Sequence, residues 1–561
     1  MDKVFEKFFG RVVEGKVNEN PNPNPTGDFF QNRKPKKYGT IKALVVVVVL
    51  FLITEYMTLT AINLRSPDFL FLLAVFVLIF AGLRSLFNVM FDKINKALLG
   101  VGMLLVAYVL IGQLISSPIF NAGSYQKQLD MDKTADFYKD NPKINFQSIP
   151  VVDRDSAERL GDRKMGEMVD FVSQFEVDSD YGQINYKNTP YRVTTLSYAD
   201  IIKWFTNQGK GLPGYIRVNM VTQESEVVQL EEGMKYSHSD MFFRNIDRHI
   251  RVNYPTLMFD TPTFEIDEDG KPYWIAPVYN YKIGLFGGKD ITGAVIVNAI
   301  TGESNYYDIK DVPTWIDRVY PSDLLLTQLN NWGKFTNGYF NTMFSQKGVL
   351  KPTDGYNYIA MDDDVYIYTG LTSVSSDASN VGFALINMRT KESKYYAISG
   401  AEEYSAMSSA EGKVQNLQYK ATFPILINAG GQPTYFLSLK DGAGLVKKYA
   451  FVSVENYQLV AVGDSVADAE KEYYKLLSDN GKVKVDFETK NITAKVTSIE
   501  AAVVNGNSNY YFKVEGQDKI FIAPISINSG LPLLKVGDSV TIEYVDDNQS
   551  TSETISSLKI Q

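Results

Sequence analysis

The chain has 561 residues, 45% hydrophobic and 22% charged, which is enough for several folded domains. Cysteine is absent and histidine occurs only at His238 and His249, which excludes disulfides, thiolate chemistry and most zinc enzymes, so we expect no cofactor. Because phosphate binding requires a basic surface, the net charge of -9 argues against a nucleic-acid partner.

Residues 1–41 are predicted to form a cytoplasmic segment. The stretch "VFEKFFGRVV" from Val4 places its apolar residues on one helical face, which suits either the inner leaflet or a protein partner. The following "NENPNPNPTG", from Asn18 to Gly27, alternates proline with asparagine and is typical of an extended tether.

Residues 42–117 contain three apolar runs, which begin at Ala43, Phe69 and Ala97. The first and third approach the roughly 20 residues that cross a bilayer as a helix. The second reaches that length only if it continues through Arg84, whose guanidinium would then extend to the interface. A re-entrant or interfacial helix is the alternative for this run.

The distribution of basic residues predicts the orientation. "RKPKK" (Arg33 to Lys37) precedes the first span, and Arg84, Lys93 and Lys96 lie between the second and third. Because cytoplasmic loops are enriched in Lys and Arg, we expect the N-terminus inside and everything after about Ser117 outside. A large cysteine-free ectodomain on such an anchor is typical of a bacterial cytoplasmic membrane protein.

A signature, N-x-x-T-x-E-S, occurs three times in the predicted ectodomain, in "YIRVNMVTQESEVVQL", "AVIVNAITGESNYYDI" and "FALINMRTKESKYYAI". A degraded fourth copy is "YAFVSVENYQLVAV". The signature residues are Asn219, Thr222, Glu224 and Ser225; Asn298, Thr301, Gly302, Glu303 and Ser304; and Asn387, Thr390, Glu392 and Ser393.

A second predicted hairpin precedes each copy, so the repeating unit is expected to be a four-stranded antiparallel sheet. Helical patterns such as "SDMFFRNIDRHI" and "SDLLLTQLNNWGKF" precede the second and third units and would cover one face of each sheet. The predicted order is a helical connector at 118–180, then repeats at 181–235, 236–312, 313–400 and 401–480, the last of which ends in a helix.

The second copy, "DEDGKPYW" followed by "VIVNAITGES", resembles the PepSY domain, with its DGKxxYxV hairpin and a strand that ends in VDAxTGE. The other copies match less well, and the usual acidic residue is replaced by Asn219, Asn298 and Asn387. The resemblance implies a noncatalytic module of propeptides and envelope proteins, often involved in peptidase inhibition or regulation. It supplies no active-site residues.

The signature also has a purely structural interpretation. An Asn side chain accepts hydrogen bonds from its own backbone in a turn, and Thr-Gly suits a hairpin closed by a left-handed residue. Only the second copy has glycine there, because Gln223 and Lys391 occupy the equivalent positions. Since left-handed backbone costs a non-glycine residue roughly 1 kcal/mol, this geometry predicts that Lys391→Gly stabilises the protein. A ligand-binding role for the signature is the alternative.

Residues 481–561 contain about five short strands, which predicts an OB-like or SH3-like barrel. Its aromatic residues form either a contact face that stacks on a ligand or, as we favour, parts of the core and rim. The aromatic residues in question are Tyr510, Tyr511, Phe512 and Phe521.

The sequence therefore predicts an α+β protein: a three-helix transmembrane anchor, four PepSY-like sheet units with helices, and a small β-barrel. We expect a noncatalytic scaffold or regulator that binds an envelope protein, such as a peptidase or a wall-synthesis complex, by adding a strand to an open sheet edge. The alternatives are a subunit of a large homo-oligomeric assembly and a carboxylate-dependent hydrolase. A cleft with two convergent acids of shifted pKa would indicate the hydrolase.

Overall fold

The computed structural model describes residues 38–88, 91–141, 149–361, 363–373, 379–482, 489–504, 507–545 and 552–560. The predicted amphipathic helix, the tether and the basic cluster at 33–37 lie outside the described residues. The chain divides into two units, the first made of Met1–Thr60 and Asp68–Leu110 and the second of Ala61–Pro67 and Ile111–Gln561.

Three apolar helices near the N-terminus are long and apolar enough to cross a membrane. They are α1 (Gly39–Thr58), α2 (Pro67–Asn88) and α3 (Lys93–Ile115). The second apolar run thus continues through Arg84 as a helix of full spanning length. Arg84 donates hydrogen bonds to both carboxylate oxygens of Asp92 and to the side chain of Asn95, so its charge is paired within the turn between α2 and α3.

The second unit begins with short elements that lead into the first sheet. They are α4 (Pro118–Gln126), β1 (Met131–Asp132), α5 (Phe137–Asp140), α6 (Arg154–Gly166) and α7 (Val169–Val172). Sheet 1 consists of β2 (Phe175–Val177), β3 (Gly182–Tyr186), β4 (Thr189–Tyr198), β5 (Leu212–Asn219) and β6 (Ser225–Met234), with α8 (Ile201–Asn207) between β4 and β5.

Sheet 2 follows a 3₁₀ turn at Phe242–Arg244 and α9 (Ile246–Asn253). Its strands are β7 (Thr263–Ile266), β8 (Pro272–Ile283), β9 (Gly287–Asn298) and β10 (Ser304–Asp308), which pair in chain order. The 3₁₀ turn Ile309–Asp311 leads out of this sheet.

Sheet 3 follows α10 (Ser322–Lys334) and the 3₁₀ turn Phe340–Thr342. It contains β11 (Leu350–Pro352), β12 (Asn357–Met361), β13 (Asp364–Ser373), β14 (Ser379–Asn387), β15 (Ser393–Tyr396) and β16 (Gly400–Ala401), and β1 pairs with β15 in parallel.

Sheet 4 follows α11 (Glu403–Lys413) and the 3₁₀ turn Gln415–Leu417, and α12 (Val466–Asp479) covers it afterwards. Its strands are β17 (Lys420–Ala421), β18 (Ile425–Ala429), β19 (Gln432–Lys440), β20 (Val446–Ser453) and β21 (Val460–Gly463). Each of the four sheets is thus built on an antiparallel meander of four strands, as the repeat pattern predicts.

The C-terminal residues form a closed barrel with the strand order β22-β23-β24-β26-β25. Its strands are β22 (Thr489–Val504), β23 (Asn507–Val514), β24 (Ile520–Pro524), β25 (Ser539–Val545) and β26 (Ser552–Ile560), with a 3₁₀ turn at Leu531–Leu533. The barrel has its own core, whereas one apolar core runs through residues of all four sheets and a second joins sheets 2 and 3 to α10.

Candidate functional site

The three signature copies form the same turn. In each, the Asn Oδ1 accepts hydrogen bonds from the backbone N–H groups two and three residues later, at 2.8 to 3.0 Å. The Thr hydroxyl accepts the backbone N–H of the Glu, and the side chains of Thr and Glu are exposed. The φ angles of Gln223, Gly302 and Lys391 are 64°, 76° and 66°, so the left-handed residue predicted from sequence is present in all three turns.

The left-handed residues also contact other repeats, which the sequence pattern does not reveal. The Nε2 of Gln223 donates to the hydroxyl of Tyr449 in sheet 4 at 2.9 Å. The Nζ of Lys391 pairs with Asp290 Oδ1 in sheet 2 at 2.7 Å, with both side chains largely buried. The expected stabilisation by Lys391→Gly is therefore corrected, because that substitution also removes an ion pair between repeats.

Sheets 1, 2 and 3 meet at a buried polar centre, where their strands β3, β7 and β12–β13 approach one another. We define this polar centre by five buried residues, Gln183, Asn185, Arg192, Glu265 and Asp317, and two half-buried ones, Arg318 and Tyr358. Both guanidinium groups lie over the ring of Tyr358, at 5.7 Å for Arg192 and 5.6 Å for Arg318. Two cations and two acids from three repeats therefore share one largely buried region.

Hydrogen bonds use most of the carboxylate oxygens in the polar centre. Glu265 accepts the backbone N–H of Asp317 at 2.9 Å and that of Arg318 at 3.1 Å, and Asp317 accepts the backbone N–H of Asn185 at 2.6 Å. Burial raises the pKa of Glu265 to about 7 and raises the pKa of Asp317, which also lies beside the Glu265 carboxylate. Both amide atoms of Gln183 are buried without a protein partner.

Two convergent acids of raised pKa are the feature that would indicate a hydrolase, but both are enclosed by the fold. Glu265 and Asp317 are each 1% exposed, so a substrate does not reach them in this conformation. The oxygens of Glu265 are occupied by backbone donors of the chain segment before α10, which they hold against sheet 2. The polar centre therefore connects sheets 1 and 2 to the segment that precedes α10.

The strongest candidate site is a surface that we call the exposed apolar surface. It comprises residues 59% to 72% exposed on α8 and on the 3₁₀ turn before α9, namely Ile201, Ile202, Phe205, Phe242 and Phe243. Val169 and Val172 of α7 are also exposed, at 79% and 50%. Soluble surfaces seldom gather so many large apolar side chains without a partner.

A helix cap and the contacts of a buried tryptophan fix the position of the exposed apolar surface. Asp200 caps α8 by accepting two backbone N–H groups, which fixes the start of the helix. The buried Trp204 contacts the Phe242 ring at 5.9 Å and donates its indole N–H to Asp240 at 3.2 Å. Burial raises the pKa of Asp240 to about 6.

One of the exposed aromatic residues, Phe242, has a strained backbone conformation. Phe242 has a φ of 54°, which is uncommon for a bulky residue, and strain of this kind often occurs at functional positions. Arg244 donates to the backbone carbonyl of Gln208 and so ties the 3₁₀ turn to the end of α8. The sequence signal that could have revealed this site is "IIKWF", since four apolar residues among five cannot all face inward from a two-turn helix.

The four barrel aromatics do not form the alternative contact face, because two of them lie in the core, as the favoured core-and-rim interpretation expects. Phe512 and Phe521 are 1% and 0% exposed and lie in the barrel core, where their rings are 6.0 Å apart. Tyr510 packs against that core, and Tyr511 is half-buried. Successive residues of a strand point to opposite faces, which is why the consecutive aromatics separate.

Across the described part of the chain, the structure contains no group of three or more side chains suited to hold a metal ion. Neither a protein-family model nor a curated protein matches this sequence. The structure defines the class of the protein: three helices long and apolar enough to cross a membrane, followed by a large β-rich α+β region.

Proposed function

We propose that this chain is a noncatalytic, membrane-anchored scaffold of the bacterial envelope that binds another protein through the exposed apolar surface. The observation that carries the proposal is the exposure of Phe205, Phe242 and Phe243 over a buried tryptophan. Aromatic anchors beside an arginine, here Arg244, are enriched where proteins bind each other most strongly.

Binding at a sheet edge has less support. One edge strand of sheet 1 is β6, where Glu226, Glu231 and Glu232 are exposed. Charged side chains along an edge discourage addition of another strand. The exposed apolar surface is therefore the better place for the partner.

The repeats and the barrel are proposed to be PepSY-like and OB-like. The hairpin that precedes each signature turn supports the first assignment. For the barrel, the parallel pairing of β24 with β26 and the closure of β22 against β25 support an OB-like rather than an SH3-like topology. The proposed orientation places the N-terminus in the cytoplasm, with Lys93 and Lys96 on the same side.

Photo-crosslinking from the full chain in native membranes tests the partner. A benzoylphenylalanine replaces Phe205 in one variant and Phe243 in another, with Leu533 of the barrel, 77% exposed, as the control position. We expect one and the same protein to be captured at both positions, and we expect Ile202→Asp to abolish its capture while the tryptophan fluorescence of the fold stays unchanged.

The other outcomes are equally specific. A crosslinked product at twice the mass of the chain would show that the chain binds a second copy of itself instead of a different protein, as in a homo-oligomeric assembly. Capture at Phe205 and Phe243 no greater than at Leu533 would refute the proposed binding surface. The hydrolase alternative would require a reaction that Glu265→Gln abolishes in a stably folded protein.

A further inference from the structure

A second apolar surface lies beside the end of the third apolar helix. The last residues of α3, Ile111–Ile115, belong to the second unit, and Leu285 and Phe286 at the tip of the β8–β9 hairpin pack closely on Gly112. Ser116 Oγ accepts the backbone N–H groups of Leu285 and Phe286, at 2.8 and 3.1 Å. A Cβ on Gly284 would lie 2.4 Å from Ser116 Oγ, so glycine permits this close approach.

A series of aromatic contacts leads from the end of α3 to a loop that follows α10. The hydroxyl of Tyr125 donates to the carbonyl of Ser116, and its ring lies 6.3 Å from that of Phe335. Further ring contacts connect Phe335, Tyr339, Phe340 and Phe344 in turn, at 6.3, 5.7 and 6.4 Å. The loop is thus anchored next to the segment that leaves the apolar helix.

Large apolar side chains project from these segments. We define the juxtamembrane surface by residues that are 38% to 79% exposed, namely Ile119, Phe120, Leu285, Phe340, Met343 and Phe344. Ile119 and Phe120 follow the last residue of α3, Ile115, by only four and five residues, so the chain joins this surface directly to the end of an apolar helix.

The charge of these segments has one sign. Residues 116–129 and 334–350 contain Lys127, Lys334 and Lys347 but no Asp or Glu, in a chain whose net charge is -9. All three lysines are exposed. Aromatic and aliphatic side chains on segments whose only charged residues are lysines suit an interface with anionic headgroups better than a protein surface of mixed charge.

We infer that the juxtamembrane surface inserts into the interfacial region of the membrane leaflet from which α3 emerges, so that the repeats contact lipid in addition to their anchor. Phe120, Phe340 and Phe344 enter the boundary between headgroups and acyl chains, and the lysines pair with lipid phosphates. The occupant of this surface is therefore lipid, in contrast to the exposed apolar surface on α8.

The absence of cysteine makes a direct test possible. Single cysteines at Phe120 and Phe344 of the full chain are labelled with an environment-sensitive fluorophore, and Leu533 and Phe205 serve as matched exposed controls. The protein is reconstituted at about one copy per vesicle, in phosphatidylcholine and phosphatidylglycerol with a nitroxide-labelled lipid as quencher.

We expect lipid quenching at Phe120 and Phe344 to exceed that at both controls by about two-fold or more, since interfacial groups lie 5–10 Å deep in the leaflet. Equal quenching at all four positions would overturn the inference. A label at Phe344 that is shielded from an aqueous quencher yet unaffected by the lipid quencher would also overturn it, because a protein or another part of this chain would then cover the surface.

Discussion

The substitution Glu265→Gln tests the polar centre through the pH dependence of stability. The ordinary pKa of this carboxyl is 4.5, and burial raises it to about 7 in the folded protein. The folded state therefore retains a proton that the unfolded chain releases between those values, and the free energy of unfolding rises as pH falls through this window. Above pH 7 the buried charge destabilises the fold.

The magnitude follows from the shift. Each unit by which burial raises this pKa corresponds to about 1.4 kcal/mol, so the penalty is on the order of a few kcal/mol; it is present above pH 7, relieved below pH 4.5, and shared with Asp317, whose carboxyl lies beside that of Glu265. Glutamine carries no charge but has one acceptor oxygen for the two backbone N–H groups, so it loses about 1–2 kcal/mol at every pH. We expect the variant to be less stable than wild type at pH 5 and equally or more stable at pH 8.

Urea unfolding of the full chain in detergent micelles measures this difference. All four tryptophans lie in the repeat region and report on it selectively, namely Trp204, Trp274, Trp315 and Trp332. Glu303→Gln is the control, because that carboxylate is exposed in a signature turn. A difference between wild type and Glu265→Gln that is constant from pH 5 to pH 8 would refute the explanation by burial.

Three further outcomes are expected from urea unfolding of single variants. Asn387→Asp should lower the free energy of unfolding by about 2–3 kcal/mol, because it places a carboxylate where the amide now donates to Asp364 at 2.8 Å. The equivalent change in the second repeat, Asn298→Asp, should cost less than about 1 kcal/mol, and equal losses in the two variants would contradict this reason. Lys391→Gly should be neutral or destabilising by about 1 kcal/mol, since relief of the φ strain is offset by the unpaired Asp290, and a raised melting temperature would contradict this. Phe242→Gly should change stability by less than about 1 kcal/mol yet abolish partner capture, whereas a loss of 3 kcal/mol would show that the ring is structural.

Patterns within short segments account for the predictions that hold. The apolar runs, the alternation of strands and the repeated turn are local, and each constrains backbone geometry through nearest neighbours. The Asn of the signature illustrates this, because its two hydrogen-bond partners lie two and three residues away. The PepSY-like and OB-like assignments, the orientation and the partner remain predictions.

Contacts between side chains of different repeats could be identified only from the tertiary structure. Nothing in the sequence near Lys391 indicates that it meets Asp290 about a hundred residues earlier, or that Glu265 supports the segment at Asp317. The sequence left two places open for Phe512, a contact face or the core, and the structure places it in the core, since alternation along a strand does not say which face is enclosed.

The sequence by itself determined three apolar helices, four sheet repeats and a final barrel, because hydrophobic periodicity and turn chemistry act over a few residues. Only the tertiary structure decided which charges are buried together and which apolar side chains stay exposed. Both depend on the packing of one repeat against another, which buries Glu265 and leaves Phe243 without cover.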